Sequence, residues 1–321
     1  MIVDLPSSNT SAVNKKIVEL RERGGVLALG RVLTLVIVTD DGSGIEDSIE
    51  AANAASREHP CRVIVLARGQ RRAAPRLDAQ IRVGGDAGAS EVIVLRMYGP
   101  LADQGGSIVV PLLLPDAPIV AWWPGEAPAS PADDPVGHVA GRRITDVSSA
   151  KSPSKALAKL RQRYHPGDTD LAWSRITSWR ALMTAALDQP PHETVTRASV
   201  SGAADSASAD LLTGWLASRL HCPVQRIAED VPGGQGGQIA AVRLERPSGA
   251  VELRRLDAKS AVLRQPGQPD RRVALSRRTT RECLAEELRR LDPDDIFAEA
   301  LEAMPTGRSR SSGSSRARAH A

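Results

Sequence analysis

The chain has 321 residues, with 42 Lys and Arg against 38 Asp and Glu and only 2% aromatic residues. This length predicts two domains, and so few aromatic side chains exclude an aromatic-lined sugar groove or a base-stacking platform for single-stranded nucleic acid. The formal net charge is +4, and the tail from residue 305 holds four Arg and no acid, so the rest of the chain is formally neutral. A neutral body argues against a nucleic-acid-binding domain.

The first half of the chain has the pattern of a parallel α/β sheet. Residues 32–39 (VLTLVIVT) and 61–67 (CRVIVLA) are typical of strands buried on both faces, and residues 45–59 between them have helical spacing. Further strands are predicted at residues 77–83, 91–98 and 118–123, and a buried helix at 101–114. We therefore predict an N-terminal α/β domain over residues 1–150, with a mostly parallel sheet.

The second half of the chain has the pattern of a mixed α+β domain with hairpins and terminal helices. Residues 126–137 indicate an exposed loop, and residues 151–167 a connecting helix with Ser152 as its N-cap. The C-terminal α/β domain is predicted over residues 168–304, with a hairpin at Pro247-Ser248-Gly249 and a basic, disordered tail over residues 305–321. Its helices are predicted at 170–188, 206–220, 280–291 and 294–304.

No linear motif for catalysis, metal binding or cofactor binding stands out. The histidines lack metal-ligand spacing, and the nucleophile elbow and the phosphate-binding P-loop are both missing. Cys61, Cys222 and Cys283 lie far apart, so we expect reduced thiols in a cytoplasmic protein. The longest apolar stretch, residues 109–124, is interrupted by prolines, and no membrane partner is expected. We predict no catalytic, cofactor-binding or metal-binding residue and no cofactor.

The best cofactor candidate is the turn Thr39-Asp40-Asp41-Gly42-Ser43-Gly44, which lies between a predicted strand and a predicted helix. A phosphate-binding loop belongs at such a place. Asp47 occupies the place of the third glycine, however, and Asp40 and Asp41 would repel a phosphate. A capped strand-to-helix turn is the favoured interpretation. The glycine-rich residues 84–88 are interpreted as a plain turn.

Tryptophan and arginine supply the candidate contacts with a protein partner. Trp122 and Trp123 adjoin on a predicted strand, and Trp173, Trp179 and Arg180 lie on a predicted helix. Trp and Arg are enriched at interface hot spots, but large apolar side chains more often pack in a core, and that alternative stays open. The basic stretches 68–82 and 254–281 allow nucleic-acid binding, although solvated surface is the commoner outcome, and no nucleic-acid partner is predicted.

Several long segments, in the same order, resemble one protein family. VLTLVIVTD (32–40), VLRMYG (94–99) and VPLLLPDAPIVAWWP (110–124) are similar to the N-terminal part of OpcA, the glucose-6-phosphate dehydrogenase assembly proteins of actinobacteria and cyanobacteria. PGDTDLAWSRITSWR (166–180), PGQPDRRVALSRR (266–278) and AEELRRLDPDD (285–295) resemble its C-terminal domain. The resemblance covers roughly residues 10–303.

The resemblance implies a non-catalytic partner of glucose-6-phosphate dehydrogenase. Such a protein would promote the assembly and activity of that enzyme and so support the oxidative pentose phosphate pathway and NADPH supply, as an allosteric activator. The alternative is a small-molecule-binding protein or enzyme of α/β class, using the turn at residues 39–44 for a sugar phosphate or nucleotide. The oligomeric state cannot be read from the sequence.

Overall fold

A computed structural model describes residues 1–24, 32–84, 91–229, 231 and 239–305. The chain divides into two compact units. Unit 1 comprises residues 1–175 and 278–295, and unit 2 comprises residues 176–277 and the chain from residue 296. The predicted tail lies outside the described residues, apart from Pro305.

The described part of unit 1 contains one eight-stranded sheet with the order β1-β4-β5-β3-β2-β6-β7-β8. The strands are β1 (Ile2–Leu5), β2 (Leu33–Asp40), β3 (Cys61–Arg68), β4 (Arg76–Arg82), β5 (Glu91–Tyr98), β6 (Ile119–Trp123), β7 (Arg142–Thr145) and β8 (Asp168–Asp170). Only β4 runs antiparallel to its neighbours, β1 and β5. The other six strands, adjacent in the order β5-β3-β2-β6-β7-β8, all run parallel to one another, as the sequence predicts for most of the sheet.

Both faces of this sheet are covered, which explains why its central strands are apolar without alternation. The helices of unit 1 are α1 (Thr10–Gly24), α2 (Gly44–Ala55), α3 (Gly105–Val109), α4 (Pro153–Gln162), α5 (Leu171–Arg175) and α8 (Thr280–Arg289). One core joins the sheet to α2 and α8, and the other joins it to α1 and the segment around α3. Neighbouring residues of one strand therefore enter different cores, as Trp122 and Trp123 do.

The helix predicted at residues 101–114 is broken in the structure. Gly99–Asp103 and Val110–Leu112 form 3-10 turns on either side of the short α3. Pro100 and Pro111 lie in those turns, and proline cannot donate the hydrogen bond that a continuous α-helix needs at that position.

Unit 2 contains a six-stranded sheet in its described part, with the order β10-β9-β11-β12-β13-β14. The strands are β9 (Arg197–Gly202), β10 (Val224–Ala228), β11 (Ile239–Glu245), β12 (Val251–Arg255), β13 (Ser260–Arg264) and β14 (Arg271–Ala274). Apart from the parallel pair β9 and β10, all neighbours are antiparallel. The predicted hairpin at residues 247–249 is confirmed as the connection between β11 and β12. The helices are α6 (Thr177–Leu187), α7 (Ala207–Leu220) and α9 (Asp295–Glu302).

The unit boundaries differ from those expected from the sequence. The helix predicted over residues 170–188 is interrupted at Ile176, so that α5 belongs to unit 1 and α6 to unit 2. Helix α8 returns to unit 1, where Cys283, Leu284 and Leu288 pack in the core beneath the sheet. The boundary is set by these long-range contacts, which local composition does not encode.

Candidate functional site

A crevice opens in unit 1 at the carboxyl ends of β2 and β6. Strands β3 and β5 lie on one side of β2, and the later strands β6, β7 and β8 lie on its other side, so the direction of strand addition reverses between β2 and β6. Open α/β sheets bind ligands at such a topological switch point. The crevice has a volume of about 340 Å³. Its lining residues are Thr39, Gly44, Asp47, Ser48, Trp122, Pro124, Gly125, Asp146, Ser149 and Thr280.

Two helices begin at the crevice. Helix α2 begins at Gly44 after the predicted turn, and its N-cap Ser43 makes no side-chain capping bond. Helix α8 begins at Thr280, after a capping box in which Thr279 and Glu282 satisfy each other's backbone N–H groups. The amino termini of helices carry partial positive charge, so both ends present N–H donors and a favourable potential for acceptors.

Most acids around the turn are held by arginines. Asp41 lies 3.3 Å from Arg96 and accepts a hydrogen bond from the Tyr98 hydroxyl at 3.0 Å. Asp40 lies 3.5 Å from Arg68. The sequence predicts that Asp40 and Asp41 repel a phosphate, and the ion pairs weaken that repulsion considerably. Asp47 differs, because its exposed carboxylate makes no hydrogen bond or ion pair with another described residue.

Glu46, the residue before Asp47 in α2, is neutralised by an arginine, as Asp40 and Asp41 are. Its carboxylate receives two hydrogen bonds from the Arg82 guanidinium, at 2.6 and 2.7 Å. These bonds hold the pKa of Glu46 below its usual value. A bidentate pair of this kind fixes both side chains, so Glu46 stays directed at β4 and away from the crevice.

A buried ionic cluster supports the wall of the crevice. Asp146 accepts two hydrogen bonds from Arg175, each 2.7 Å long. Behind it, the fully buried Asp170 accepts hydrogen bonds from the Thr145 hydroxyl at 2.6 Å and from the backbone N–H groups of Val147 and Ala172. Burial, and next the negative charge of Asp146, raise the pKa of Asp170 to about 7. The cluster orders the loop after β7, which carries Asp146 and Ser149 into the lining.

Cys61, Cys222 and Cys283, all among the described residues, form no disulfide. Cys61 and Cys283 are buried in unit 1, and burial raises the pKa of Cys283 to about 12. Burial also raises the pKa of Cys222 in unit 2. Since the thiolate is the reactive form, these shifts make Cys222 and Cys283 poor nucleophiles at neutral pH.

The tryptophans on β6 are fully buried on opposite faces of the sheet. Trp122 lines the crevice, and its indole N–H has no acceptor among the described residues. Trp123 packs in the opposite core, and its indole N–H likewise has no acceptor there. The structure thus places these side chains in cores, while their contact with a partner stays a prediction.

The other predicted contact residues are divided between the two units. In unit 1, the buried Trp173 donates a hydrogen bond from its indole to Asp294 at 2.8 Å. In unit 2, Trp179 is buried beneath the Arg255 guanidinium, 5.4 Å from the ring centre. The adjacent Arg180 is half-buried and donates to the Thr177 hydroxyl at 3.0 Å. Their role in partner binding is likewise still a prediction.

The lining of the crevice offers hydrogen bonding but no cation. Its charged members are Asp47 and Asp146, and hydroxyls of Thr39, Ser48, Ser149 and Thr280 complete the polar surface. Sequence reasoning pointed to the turn and to Trp122. It missed Asp146, Ser149 and Thr280, because only the folded sheet brings those loops together. Among the described residues, no group of three or more His, Cys, Asp or Glu side chains could hold a metal ion.

None of the described helices is both long and apolar enough to cross a membrane.

Two family models match the chain. The model described as the glucose-6-phosphate dehydrogenase subunit N-terminal domain (OpcA) matches residues 52–162, and the one described as its C-terminal domain matches residues 166–301. A protein of Synechocystis sp. PCC 6803 that is named OpcA and assigned to the OxPP cycle is 29% identical over 220 residues. That alignment covers 62% of this chain and 44% of the cyanobacterial protein, so the chain spans less than half the length of that relative.

Solved structures show more distant likeness. Glucose-6-phosphate 1-dehydrogenase from Mycobacterium avium aligns with 88% of this chain and 94% of its own, at 12% identity and a TM-score of 0.43. Biliverdin reductase from Synechocystis sp. PCC 6803, solved with biliverdin and NADP+, aligns with 84% of this chain and 96% of its own, at 10% identity and a TM-score of 0.41. With TM-scores below 0.5, neither likeness bears on function. The two domain models match in order from residue 52 to residue 301, and the chain therefore belongs to the OpcA family, which is related to glucose-6-phosphate dehydrogenase and the oxidative pentose phosphate pathway.

Proposed function

We propose that this chain is a non-catalytic assembly and activation factor that binds glucose-6-phosphate dehydrogenase and favours its active oligomer. The observation that carries the proposal is the match of both parts of the chain, in order, to two domains described as parts of a glucose-6-phosphate dehydrogenase subunit. By increasing the active fraction of the dehydrogenase, the chain would support the oxidative pentose phosphate pathway and NADPH supply from the cytoplasm.

The physical basis of such activation is differential binding. A partner shifts an equilibrium between conformations or oligomers only by as much as its affinities for those states differ. A tenfold shift requires a difference of about 1.4 kcal/mol, which a few good contacts supply. If the favoured oligomer is the competent one, the apparent affinity for substrate rises in proportion to its population.

The proposed contacts are Trp122, Trp123, Trp173, Trp179 and Arg180. Arg180 is half-buried and so exposes part of its side chain, whereas the four buried indoles would act through the surface that they support. Arg180→Ala is therefore the informative variant for direct contact. We expect it to weaken the complex by more than about tenfold if Arg180 is a hot spot, while the melting temperature of the free chain stays close to that of the native protein.

The proposal is tested by the mass of the complex. The dehydrogenase from the same organism would be titrated with this chain and followed by size-exclusion chromatography with light scattering. We expect co-elution and a shift of the dehydrogenase towards one larger species. Separate elution at every ratio, in both oxidising and reducing buffer, would contradict the proposal.

A further inference from the structure

The order of the parallel strands in unit 1 implies a particular ligand. The six parallel strands are β2, β3, β5, β6, β7 and β8. When they are numbered 1 to 6 along the chain, their order across the sheet is 3-2-1-4-5-6. This order belongs to doubly wound sheets that bind dinucleotides, with the pyrophosphate at the turn between the first strand and its helix. In unit 1 that turn joins β2 to α2 and opens directly onto the crevice.

Part of the expected phosphate cradle is present. In the pattern G-x-G-x-x-G, the first glycine permits the tight turn and the second lets the ligand approach the backbone. Gly42 and Gly44 occupy these two places, and a Cβ added at either would meet no atom within 4 Å. The backbone at the start of α2 is thus open to a ligand, as a pyrophosphate site requires.

The third place of the pattern, where glycine permits close packing of the helix on the strand, carries an acid. It is held by Asp47, whose carboxylate is exposed, lines the crevice and pairs with no other described residue. Asp146 is the other charged lining residue, but Arg175 neutralises it, so Asp47 is the acid of the lining that has no partner among the described residues. Carboxylates beside a bound diphosphate repel it, and the repulsion is stronger in a partly dehydrated crevice than in water. The Asp47 carboxylate therefore opposes the helix termini that would otherwise attract an anion.

The end of β3, the second parallel strand along the chain, also differs from the corresponding position of a dinucleotide-binding site. In dinucleotide-binding sheets an acid near this position binds the ribose, or an arginine accommodates the 2′-phosphate of NADP. Arg68 ends β3, but Asp40 lies 3.5 Å from its guanidinium. The arginine that could receive a 2′-phosphate is thus already engaged by an acid of the turn.

We infer that Asp47 prevents unit 1 from binding a dinucleotide. The chain keeps the strand order, two of the three glycines and the open crevice of a dinucleotide-binding domain, and it binds neither NADP+ nor NADPH. Asp47 is the residue that determines this, because its carboxylate lines the crevice at the start of α2 and pairs with no other described residue. The inference does not depend on binding to the dehydrogenase, and it concerns this chain alone.

The test is equilibrium binding of NADP+ and NADPH to the full chain by isothermal titration calorimetry. Asp47→Asn removes the charge at nearly constant volume, and Asp47→Gly restores the glycine pattern. Glu50→Gln is the matched control, because it removes the same charge from an exposed position of α2 outside the crevice lining. Circular dichroism and a melting temperature establish that each variant is folded, and Asp47→Asn keeps the test decisive if Asp47→Gly fails to fold.

We expect no saturable binding to the native chain or to Glu50→Gln at dinucleotide concentrations up to about 1 mM, where even a weak site of about −4 kcal/mol would be half filled. Asp47→Asn and Asp47→Gly should bind at least about tenfold more tightly than the native chain, with Asp47→Gly the tighter. Saturable binding of NADP+ by the native chain would overturn the inference. So would folded Asp47 variants that bind no better than the native chain.

Discussion

Asp170, the last residue of the edge strand β8, has a carboxyl group that is out of contact with solvent. Three donors point at its two oxygens, yet burial and the nearby Asp146 raise its pKa from 3.8 to about 7. The folded state therefore retains a proton between about pH 4 and pH 7 that the unfolded chain releases. Stability from this group is complete below the unfolded pKa and is lost as the pH rises through about 7.

Asp170→Asn should flatten the dependence of stability on pH. We expect the free energy of unfolding of the native chain to fall between pH 5 and pH 8, and the variant to show a smaller fall. Glu287, whose pKa burial also raises, leaves a residual slope of the same sign. Urea unfolding at both pH values measures the effect, and an unchanged slope in the variant would show that Asp170 does not titrate in this range.

Arg175 neutralises Asp146 in the same cluster. Asp146 is buried, the Arg175 side chain is 10% exposed, and two hydrogen bonds of 2.7 Å join them, so Arg175→Ala leaves a buried carboxylate without its partner. Such a loss costs about 3–5 kcal/mol of stability. Arg57→Ala, at an exposed arginine after α2, should change stability by less than about 0.5 kcal/mol. Equal effects of the two variants in chemical denaturation would contradict this account of the cluster.

At the scale of elements, local patterns predict the strands better than the helix ends. The runs at β2, β3, β5 and β6 are apolar because both faces of the sheet are covered, and that pattern was sufficient to identify them. The interruption at Ile176 leaves no comparable mark, because the spacing of apolar residues continues through it. The same limit applies to the site, since the turn before α2 is continuous in sequence, whereas Asp146 and Thr280 reach the crevice only through tertiary packing.

Helix α8 is remote in sequence from the rest of unit 1, yet it completes one of the cores. Leu284 is fully buried there among residues of the sheet and α2. Leu284→Ala should therefore cost about 2–5 kcal/mol of stability. Arg281→Ala, at an exposed position one turn earlier, serves as the control. A loss below about 1 kcal/mol for Leu284→Ala would mean that α8 does not belong to this core.

Gly214 lies in the middle of α7, where glycine normally weakens a helix. A Cβ at this position would overlap the backbone carbonyl of Ala300 in α9. Gly214→Ala should thus destabilise unit 2, although the same change stabilises an ordinary exposed helix by about 1 kcal/mol. Thermal unfolding decides the sign, and a higher melting temperature for the variant would contradict the close approach of α7 and α9.

At the scale of the whole molecule, both parts of the chain match domains of one family, and the sequence contains no recognisable linear catalytic motif. Apolar strand and helix patterns predicted the α/β class, and long segments that are similar in order predicted the family. The sequence could not predict the strand order 3-2-1-4-5-6, since pairing in a parallel sheet joins segments that are distant in the chain. A sheet with this strand order, whose crevice is lined by the acid Asp47, is consistent with a chain that acts through another enzyme.

The most direct test of that role is the steady-state kinetics of glucose-6-phosphate dehydrogenase from the same organism, with and without this chain. We expect a saturable increase in turnover or in apparent affinity for glucose 6-phosphate, reached at a fixed ratio of the two proteins. NADP+ reduction by the dehydrogenase is followed by absorbance, and this chain alone serves as the blank. Unchanged kinetics across dehydrogenase concentrations, under both oxidising and reducing conditions, would contradict activation of the dehydrogenase by this chain.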